Sequence, residues 1–236
     1  IPVEKLYEQI DLALRENPIG EQEFESVLRE VVFASPRTAT PAFFNQLFGG
    51  RNETAVLGEL LSVLLNNSMY TYKAAGTAVG VEKAVLREAC TTIGWGKESD
   101  GTFASGGSLT NFMAMLMARD TTLTDVRSRG MHAPMTVYTS EESHYSIPKN
   151  AAFCGIGRDQ VRYISTDSLG RMIPEKLEQQ IEQDIQAGYI PSLLNLTAGT
   201  TVLGAFDSIS ALLPISKRYS IWTHVDGAYC GSVIFS

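Results

Sequence analysis

Residues whose types could take part in ligand binding or catalysis are concentrated in four short segments, most of them in the second half of the sequence. These segments are residues 105–108, 140–145, 197–201 and 224–228. Each follows or ends a run rich in β-forming residues. Because ligands of an open parallel α/β sheet bind beyond the carboxyl ends of its strands, the sequence predicts one small-molecule site built from these segments.

The first segment, SGGS at residues 105–108, directly precedes a helical pattern. Its two glycines allow the backbone to approach an anion closely, and the helix N-terminus contributes partial positive charge. Gly107 and Ser108 are therefore candidates for binding a phosphate group. A tight turn with Ser108 as the helix N-cap explains the same residues without a ligand. The G-x-G-x-x-G pattern of dinucleotide sites is absent, which disfavours a dinucleotide.

Asp226 ends an apolar-leaning run at residues 221–225, which we expect to lie deep in the sheet. A carboxylate in that position requires a partner, and the protonated nitrogen of a pyridine ring is one suitable cation. Pairing with an arginine, or capping of the following turn, is the commoner role of an aspartate at a strand end. The residue alone leaves these alternatives open.

His144 is one of three histidines, and neither His132 nor His224 stands at a metal-ligand spacing from it. The sequence therefore predicts no metal site. A histidine after a strand is often only a hydrogen-bonded loop residue. The threonines within residues 197–201 similarly fit a role as hydroxyls bonded to the local backbone.

The composition favours a small-molecule function. The chain has 236 residues, of which 44% are hydrophobic and 19% charged, and a net charge of -7 with scattered basic residues. This charge argues against a nucleic-acid or anionic-membrane partner, and no apolar run approaches the ~20 residues of a membrane span. Hydrolase and nucleotide-triphosphatase motifs are missing. Three widely spaced cysteines without a C-x-x-C pair indicate a reducing compartment, so we expect a cytoplasmic protein.

The hydrophobic pattern changes near residue 95 from helical to alternating. Before it, helices are predicted at residues 3–16, 21–33, 53–65 and 81–93, with an extended aromatic connection at 35–52. After it, strands are predicted at residues 102–104, 135–139, 161–164, 192–196 and 220–225. Helices are predicted between these strands at residues 109–119, 146–153, 174–187 and 209–217. Alternating strands and helices indicate a largely parallel sheet covered on both faces.

Six sequence blocks in one order resemble the group II decarboxylases that depend on pyridoxal phosphate (PLP), which act on glutamate, cysteine sulfinate, aspartate and aromatic amino acids. The blocks are FFNQLF at 43–48, NSMYTY at 67–72, GGSLTN at 106–111, SHYS at 143–146, GTTVLGAFD at 199–207 and HVDGAY at 224–229. Together they extend over most of the chain, which makes the resemblance specific.

This resemblance implies an α/β protein of PLP-dependent transferase fold type I, with PLP as cofactor. Residues 1–95 would form an N-terminal helical segment that contributes to a homodimer. Residues 96–236 would form an incomplete large domain with a mostly parallel sheet. Transamination or aldol cleavage by a related fold-type-I enzyme is an alternative, although the residues of the SHYS and GTTVLGAFD blocks disfavour it.

The resemblance also assigns roles to individual residues. Gly107 and Ser108 would hold the phosphate, His144 and Ala228 would lie on opposite faces of the pyridine ring, Thr201 would lie near its polar edge, and Asp226 would pair with the ring nitrogen. His144 and Asp226 are the residues expected to take part in catalysis.

Residues 43–48 resemble the branch of the family that acts on acidic substrates. Gln46 occupies the place of a glutamine that meets the substrate side-chain carboxylate, which favours glutamate, aspartate or cysteine sulfinate. Thr40 and Ala42 stand where relatives commonly have His and Arg, and residues 73–76 also depart from the family pattern. A diamino acid such as 2,4-diaminobutyrate is therefore an alternative substrate.

The lysine that binds PLP covalently in this family lies C-terminal to the HVDGAY block, and no lysine follows Asp226 here. We therefore expect the chain to be part of a longer protein whose remainder completes both the sheet and the active site. A non-catalytic PLP-binding protein is the alternative.

Overall fold

The computed structural model describes residues 5–236. The chain divides into two compact units, the first ending at Asn67 and the second comprising Ser68–Ser236. The functional division at residue 95 remains a prediction. Helix α5 (Thr77–Ile93), which that prediction places in the N-terminal segment, belongs here to the second unit.

The first unit contains three helices in its described part, α1 (Leu6–Gln9), α2 (Glu21–Ala34) and α3 (Glu53–Leu65). The last two match the predicted helices. The side chain of Asn52 caps α3 by accepting a hydrogen bond from the Ala55 N–H at 3.0 Å.

The helix predicted at residues 3–16 is much shorter than expected, since only Leu6–Gln9 is helical and residues 3 and 4 lie outside the described residues. Asp11 gives the physical reason. Its carboxylate accepts a hydrogen bond from the Ala13 N–H at 3.1 Å, a local turn that replaces the helical hydrogen bonds. The connection predicted as extended at 35–52 contains no helix or strand and includes several turns, and the rings of Phe43 and Phe48 form an edge-to-face contact within it.

The second unit alternates helices with four strands. Its strands are β1 (Met135–Ser140), β2 (Val161–Ile164), β3 (Ile190–Thr197) and β4 (Trp222–Asp226). Besides α5, its helices are α4 (Tyr72–Ala75), α6 (Gly107–Thr122), α7 (Val126–Arg129), α8 (Ser146–Phe153), α9 (Pro174–Gln186) and α10 (Ile209–Arg218). Two short 3₁₀ helices, Arg158–Gln160 and Gly231–Phe235, complete the described elements.

All strand pairs in this sheet are parallel, and the strand order is β2-β1-β3-β4. The prediction of a parallel α/β sheet is thus confirmed. The strand predicted at residues 102–104 is wrong, because this segment is irregular. The N–H of Phe103 points to the carboxylate of Glu82 on α5, at 3.4 Å, and so forms no strand ladder.

The two faces of the sheet bury separate apolar clusters. Met135, Val137 and Leu193 pack against α6 and α8 on the first face. Tyr138 and Leu194 pack with residues of α9 and α10 on the second. Strand residues alternate between the faces, as expected for a pleated backbone. The first face is the one that leads to the candidate site.

Strand β4 lies at the edge of the described sheet, contrary to the prediction that it lies deep inside. Trp222 and Val225 are 37% and 40% exposed. Asp226 is nevertheless buried, because α6 covers the end of the strand on the first face. Within residues 5–236, no helix is both long and apolar enough to cross a membrane.

Candidate active site at the carboxyl ends of the strands

The first face of the sheet changes from apolar to polar toward the carboxyl ends of its strands. Val137 and Leu193 are followed, two residues later on the same face, by Thr139 and Asn195. The Asn195 amide donates to the Thr139 hydroxyl at 2.9 Å, and His224 of β4 pairs in register with Asn195. A continuous polar row therefore crosses three strands, at the edge where parallel sheets bind ligands.

Gly107 begins α6 and lies against the turn that follows β4. A Cβ atom added to Gly107 would lie only 2.7 Å from the Cβ of Ala228. Gly107, expected to hold the phosphate, and Ala228, expected to lie on one face of the ring, are thus neighbours in the structure. Gly106 precedes the helix with a φ of 148°, in a region that L side chains rarely adopt.

Ser108 lies in the first turn of α6 and is exposed. The N-cap of this helix is Gly106, which offers no side-chain cap, so Ser108 is not the N-cap that the alternative interpretation required. The Ser108 carbonyl accepts a hydrogen bond from Asn150 of α8 at 2.9 Å. The first N–H groups of an α-helix have no partner within the helix, which leaves them available to an anion.

Asp226 is 7% exposed, and both of its carboxylate oxygens are hydrogen-bonded. Oδ2 accepts from the Asn111 amide at 2.8 Å, and Oδ1 accepts from the Ala228 N–H at 3.1 Å. The second bond is the turn-capping contact that the sequence left open. Among residues 5–236, no lysine or arginine forms an ion pair with Asp226. The carboxylate therefore retains its capacity to pair with a cation from a ligand.

His144 follows β1 and is partly buried. Its Nδ1 atom lies 2.8 Å from the hydroxyl oxygen of Ser146 and 3.2 Å from the Ser146 backbone nitrogen. The Tyr145 ring lies beside the imidazole, with 4.1 Å between centroids. Ser146 in turn accepts from the Asn111 amide at 2.9 Å. His144 and Asp226 are therefore joined through two intervening side chains.

Asn111 and His224 belong to this site, although the sequence analysis gave them no role. Asn111 lies on α6, is 2% exposed, and contacts Ser146, Asp226 and His224. Burial lowers the pKa of the His224 imidazole, and the nearby Asp226 carboxylate partly opposes this effect. A buried asparagine four residues after Gly107 faces the same side of the helix as the glycine, and that spacing is the available sequence signal.

Thr201 lies in the loop after β3 and is partly buried. In the described structure its hydroxyl makes no hydrogen bond to the other site residues, so its predicted position near the ring edge remains a prediction. Its neighbour Thr200 is buried and accepts from the Ala205 N–H at 3.1 Å. This bond holds the loop closed beside the site.

Asp207 anchors the far end of the same loop. Its carboxylate accepts from the Met172 N–H at 2.7 Å and from the Thr197 N–H at 2.8 Å. Burial raises the pKa of the Asp207 carboxyl, and these two bonds act in the opposite direction. Gly199, with a φ of 94°, packs so closely on Cys230 that an added Cβ would lie 2.2 Å from the Cys230 Cβ. Both contacts hold the loop that follows β3 in place.

Gln46 belongs to the first unit, in the irregular connection between α2 and α3, where it is exposed. Its predicted contact with the substrate carboxylate remains a prediction. No group of three or more His, Cys, Asp or Glu side chains arranged to hold a metal ion occurs within the described residues.

These residues fit a ligand that carries an anionic group and a cationic ring. The backbone at Gly107 leaves no room for a side chain beside Ala228. The buried Asp226 lacks a cationic partner within residues 5–236. The hydroxyl of Thr197, at the carboxyl end of β3, is buried and has no hydrogen-bond partner among the described residues. PLP has both chemical features, and the fold and site together define a cofactor-binding α/β domain.

Comparison with known proteins identifies the family. Residues 3–236 match the model described as "Pyridoxal-dependent decarboxylase conserved domain", and the chain belongs to this family. It is 42% identical over 235 residues to cysteine sulfinic acid decarboxylase from Mus musculus, covering 99% of this chain and 48% of the relative. It is 39% identical over 237 residues to the Homo sapiens protein named acidic amino acid decarboxylase GADL1, covering 100% and 45%.

The fold agrees with the same assignment. A crystal structure of mouse CSAD superposes with a TM-score of 0.96 at 42% identity, covering 99% of this chain and 50% of that one. The fold class and the family predicted from the sequence blocks are therefore confirmed. The chain spans about half the length of the curated relatives it matches.

Proposed function

We propose that this chain forms the cofactor-binding part of a PLP-dependent decarboxylase that acts on an acidic amino acid. The observation that carries the proposal is Asp226, a buried carboxylate held by Asn111 and the Ala228 N–H, with no ion-pair partner within residues 5–236. Such a group is suited to hold a proton on the nitrogen of an aromatic cofactor ring.

When bound, PLP supplies a protonated ring that delocalises the electron pair left at the substrate Cα after carbon dioxide departs. The chain's own residues would position that ring and control its charge. Gly107 and Ser108 would hold the phosphate at the N-terminus of α6. His144 and Ala228 would contact the ring, and Asp226 would keep the ring nitrogen protonated.

The substrate class is supported by the relatives. Those with 42% and 39% identity are named for cysteine sulfinic acid and for acidic amino acids. We propose that cysteine sulfinate, aspartate or glutamate is the substrate and that Gln46 contacts its side-chain carboxylate. We further propose a homodimeric protein of the cytoplasm, in keeping with its three free cysteines.

The test is carbon dioxide release by the full-length protein, with and without added PLP, from a panel of amino acids. The panel contains cysteine sulfinate, aspartate, glutamate, 2,4-diaminobutyrate and tryptophan. We expect PLP-dependent release from one or more of the three acidic substrates. Release from tryptophan or 2,4-diaminobutyrate alone would contradict the substrate class. Formation of a keto acid without carbon dioxide would contradict decarboxylation.

A further inference from the structure

We propose that Asn111 and Ser146 are positioning residues that set the direction of a hydrogen-bond chain from His224 to His144, so that His144 presents its N–H at Nε2. This proposal concerns how the site controls its own histidines, and its relevance to catalysis rests on the proposed function. This hydrogen-bond chain connects α6, α8, β4 and the turn after β1, which are separate in sequence.

The orientation of the Asn111 amide is the first step. Asp226 is an acceptor in its ionised form, so the Asn111 nitrogen must face it, at 2.8 Å. The second hydrogen of the same nitrogen points to the Ser146 hydroxyl oxygen at 2.9 Å. The amide oxygen consequently faces the Nε2 atom of His224, at 2.8 Å.

The tautomer of His224 follows from that orientation. Because an amide oxygen only accepts hydrogen bonds, Nε2 of His224 must carry a hydrogen. Burial lowers the pKa of this imidazole, which keeps the ring neutral at neutral pH. A neutral His224 does not compete with a ligand cation for Asp226.

Ser146 transmits the direction to His144. The Ser146 backbone N–H donates to Nδ1 of His144 at 3.2 Å, which makes Nδ1 an acceptor. The Ser146 hydroxyl, 2.8 Å from the same atom, therefore donates its single hydrogen to Nδ1, and its oxygen accepts from Asn111. A ring nitrogen that accepts hydrogen bonds carries no hydrogen, so the ring hydrogen of His144 lies on Nε2.

Burial makes this arrangement specific. Ser146 and Asn111 are 0% and 2% exposed, so water does not replace a lost partner readily. An amide or hydroxyl left unpaired in such a place is strongly disfavoured. Each member therefore has one hydrogen-bonding orientation, and the position of the His144 ring hydrogen on Nε2 is fixed before any ligand binds.

The experiment compares Ser146→Ala with Ser216→Ala in the full-length protein. Ser216 is a matched control, because it is also a fully buried helical serine, on the second face of the sheet, bonded to the Leu213 carbonyl and the Thr223 hydroxyl. Histidine nitrogen-15 NMR without PLP reads the tautomers, with His144→Gln used for assignment. Absorbance titration measures the dissociation constant of PLP.

In the parent protein we expect Nδ1 of His144 to carry no hydrogen and to accept hydrogen bonds, while its Nε2 carries the ring hydrogen. We expect His224 to carry a hydrogen on Nε2. Ser146→Ala removes one of the two donors to Nδ1. We expect the nitrogen-15 resonance of His144 Nδ1 to move toward that of a ring nitrogen without a hydrogen bond. We also expect the PLP dissociation constant to rise about fivefold to tenfold, equivalent to one lost hydrogen bond. Ser216→Ala leaves both readouts unchanged.

A hydrogen on Nδ1 of His144 in the parent protein would overturn the proposal. Identical spectra and dissociation constants for the two serine variants would also overturn it. Because the tautomers are read without PLP, these failures are separate from failure of the proposed function. A parent protein with the expected tautomers that does not bind PLP would support the hydrogen-bond chain and contradict the cofactor.

Discussion

Replacing Gly107 with alanine tests how closely α6 approaches the turn after β4. The new Cβ would lie 2.7 Å from the Cβ of Ala228, whereas carbon atoms in favourable contact lie about 3.5–4.0 Å apart. The two Cβ atoms would therefore be roughly 1 Å closer than a favourable carbon–carbon contact allows. Ala228 has no rotatable side-chain atoms beyond Cβ, so the clash is relieved only by movement of the backbone.

The expected magnitude follows from two opposing effects. Overpacking a well-packed contact destabilises a protein by about 1–3 kcal/mol. Alanine gains up to about 1 kcal/mol over glycine inside a helix, and less at the first position. We therefore expect the free energy of unfolding to fall by about 1–2 kcal/mol. Since we propose that the first N–H groups of α6 hold the phosphate, we also expect PLP binding to weaken about tenfold, or ~1.4 kcal/mol.

Denaturant unfolding and PLP titration of the full-length protein measure both effects. Gly80→Ala in α5 is the control, because nothing lies within 4 Å of its added Cβ. We expect this control to be neutral or slightly stabilising. The double variant Gly107→Ala/Ala228→Gly removes the opposing methyl group and should recover most of the lost stability. The close approach of α6 would be refuted if Gly107→Ala matched the control, or if the double variant showed no recovery.

Three further predictions concern the aspartates and the buried histidine. Asp226→Asn removes the negative charge that we propose favours the protonated ring nitrogen, and an opposite charge shifts a pKa by about 1–3 units. We therefore expect decarboxylation to fall at least about tenfold with the fold retained, measured by carbon dioxide release and circular dichroism; near-normal turnover would contradict this role. Asp207→Ala leaves the Met172 and Thr197 N–H groups without their partners and should destabilise the protein by about 2–4 kcal/mol in urea unfolding; an effect below ~1 kcal/mol would contradict the anchoring role. The pKa of His224 is lowered in the folded state, so its contribution to stability is full above the unfolded value of about 6.5 and declines as the pH falls below it. His224→Gln should flatten that decline in unfolding measurements between about pH 5 and pH 7, and an unchanged slope would contradict the burial argument.

The strands were predictable where their apolar residues form continuous runs. Met135–Ser140 and Val161–Ile164 agree with the sequence prediction within one residue, because both are bounded by polar or turn-forming residues. The strand prediction at residues 102–104 was wrong because a short run of β-forming residues does not determine whether another strand lies beside it. The Phe103 N–H is taken by Glu82, 21 residues away in sequence.

The candidate site could be predicted in the segments that follow strands, and less so inside the elements. Gly107 and Asp226 were singled out because a pair of glycines precedes a helical pattern and a carboxylate ends an apolar run. Asn111 and His224 lie within a helix and a strand, where a polar residue ordinarily faces solvent. Only the docking of α6 on the sheet shows that they face each other, at 2.8 Å.

One predicted role depends on a residue outside the second unit. Gln46 lies in the first unit. Its contact with the substrate carboxylate therefore remains a prediction, which the substrate panel tests.

We propose that Asp226 pairs with the nitrogen of a PLP ring held at the carboxyl ends of β1, β3 and β4. A crystal structure of the full-length protein with PLP would give the distance between the Asp226 carboxylate and the ring nitrogen. We predict a hydrogen-bonding distance of about 2.7–2.9 Å, with the phosphate at the N-terminus of α6. A ring nitrogen directed elsewhere, with Asp226 paired to a lysine or arginine, would contradict the account.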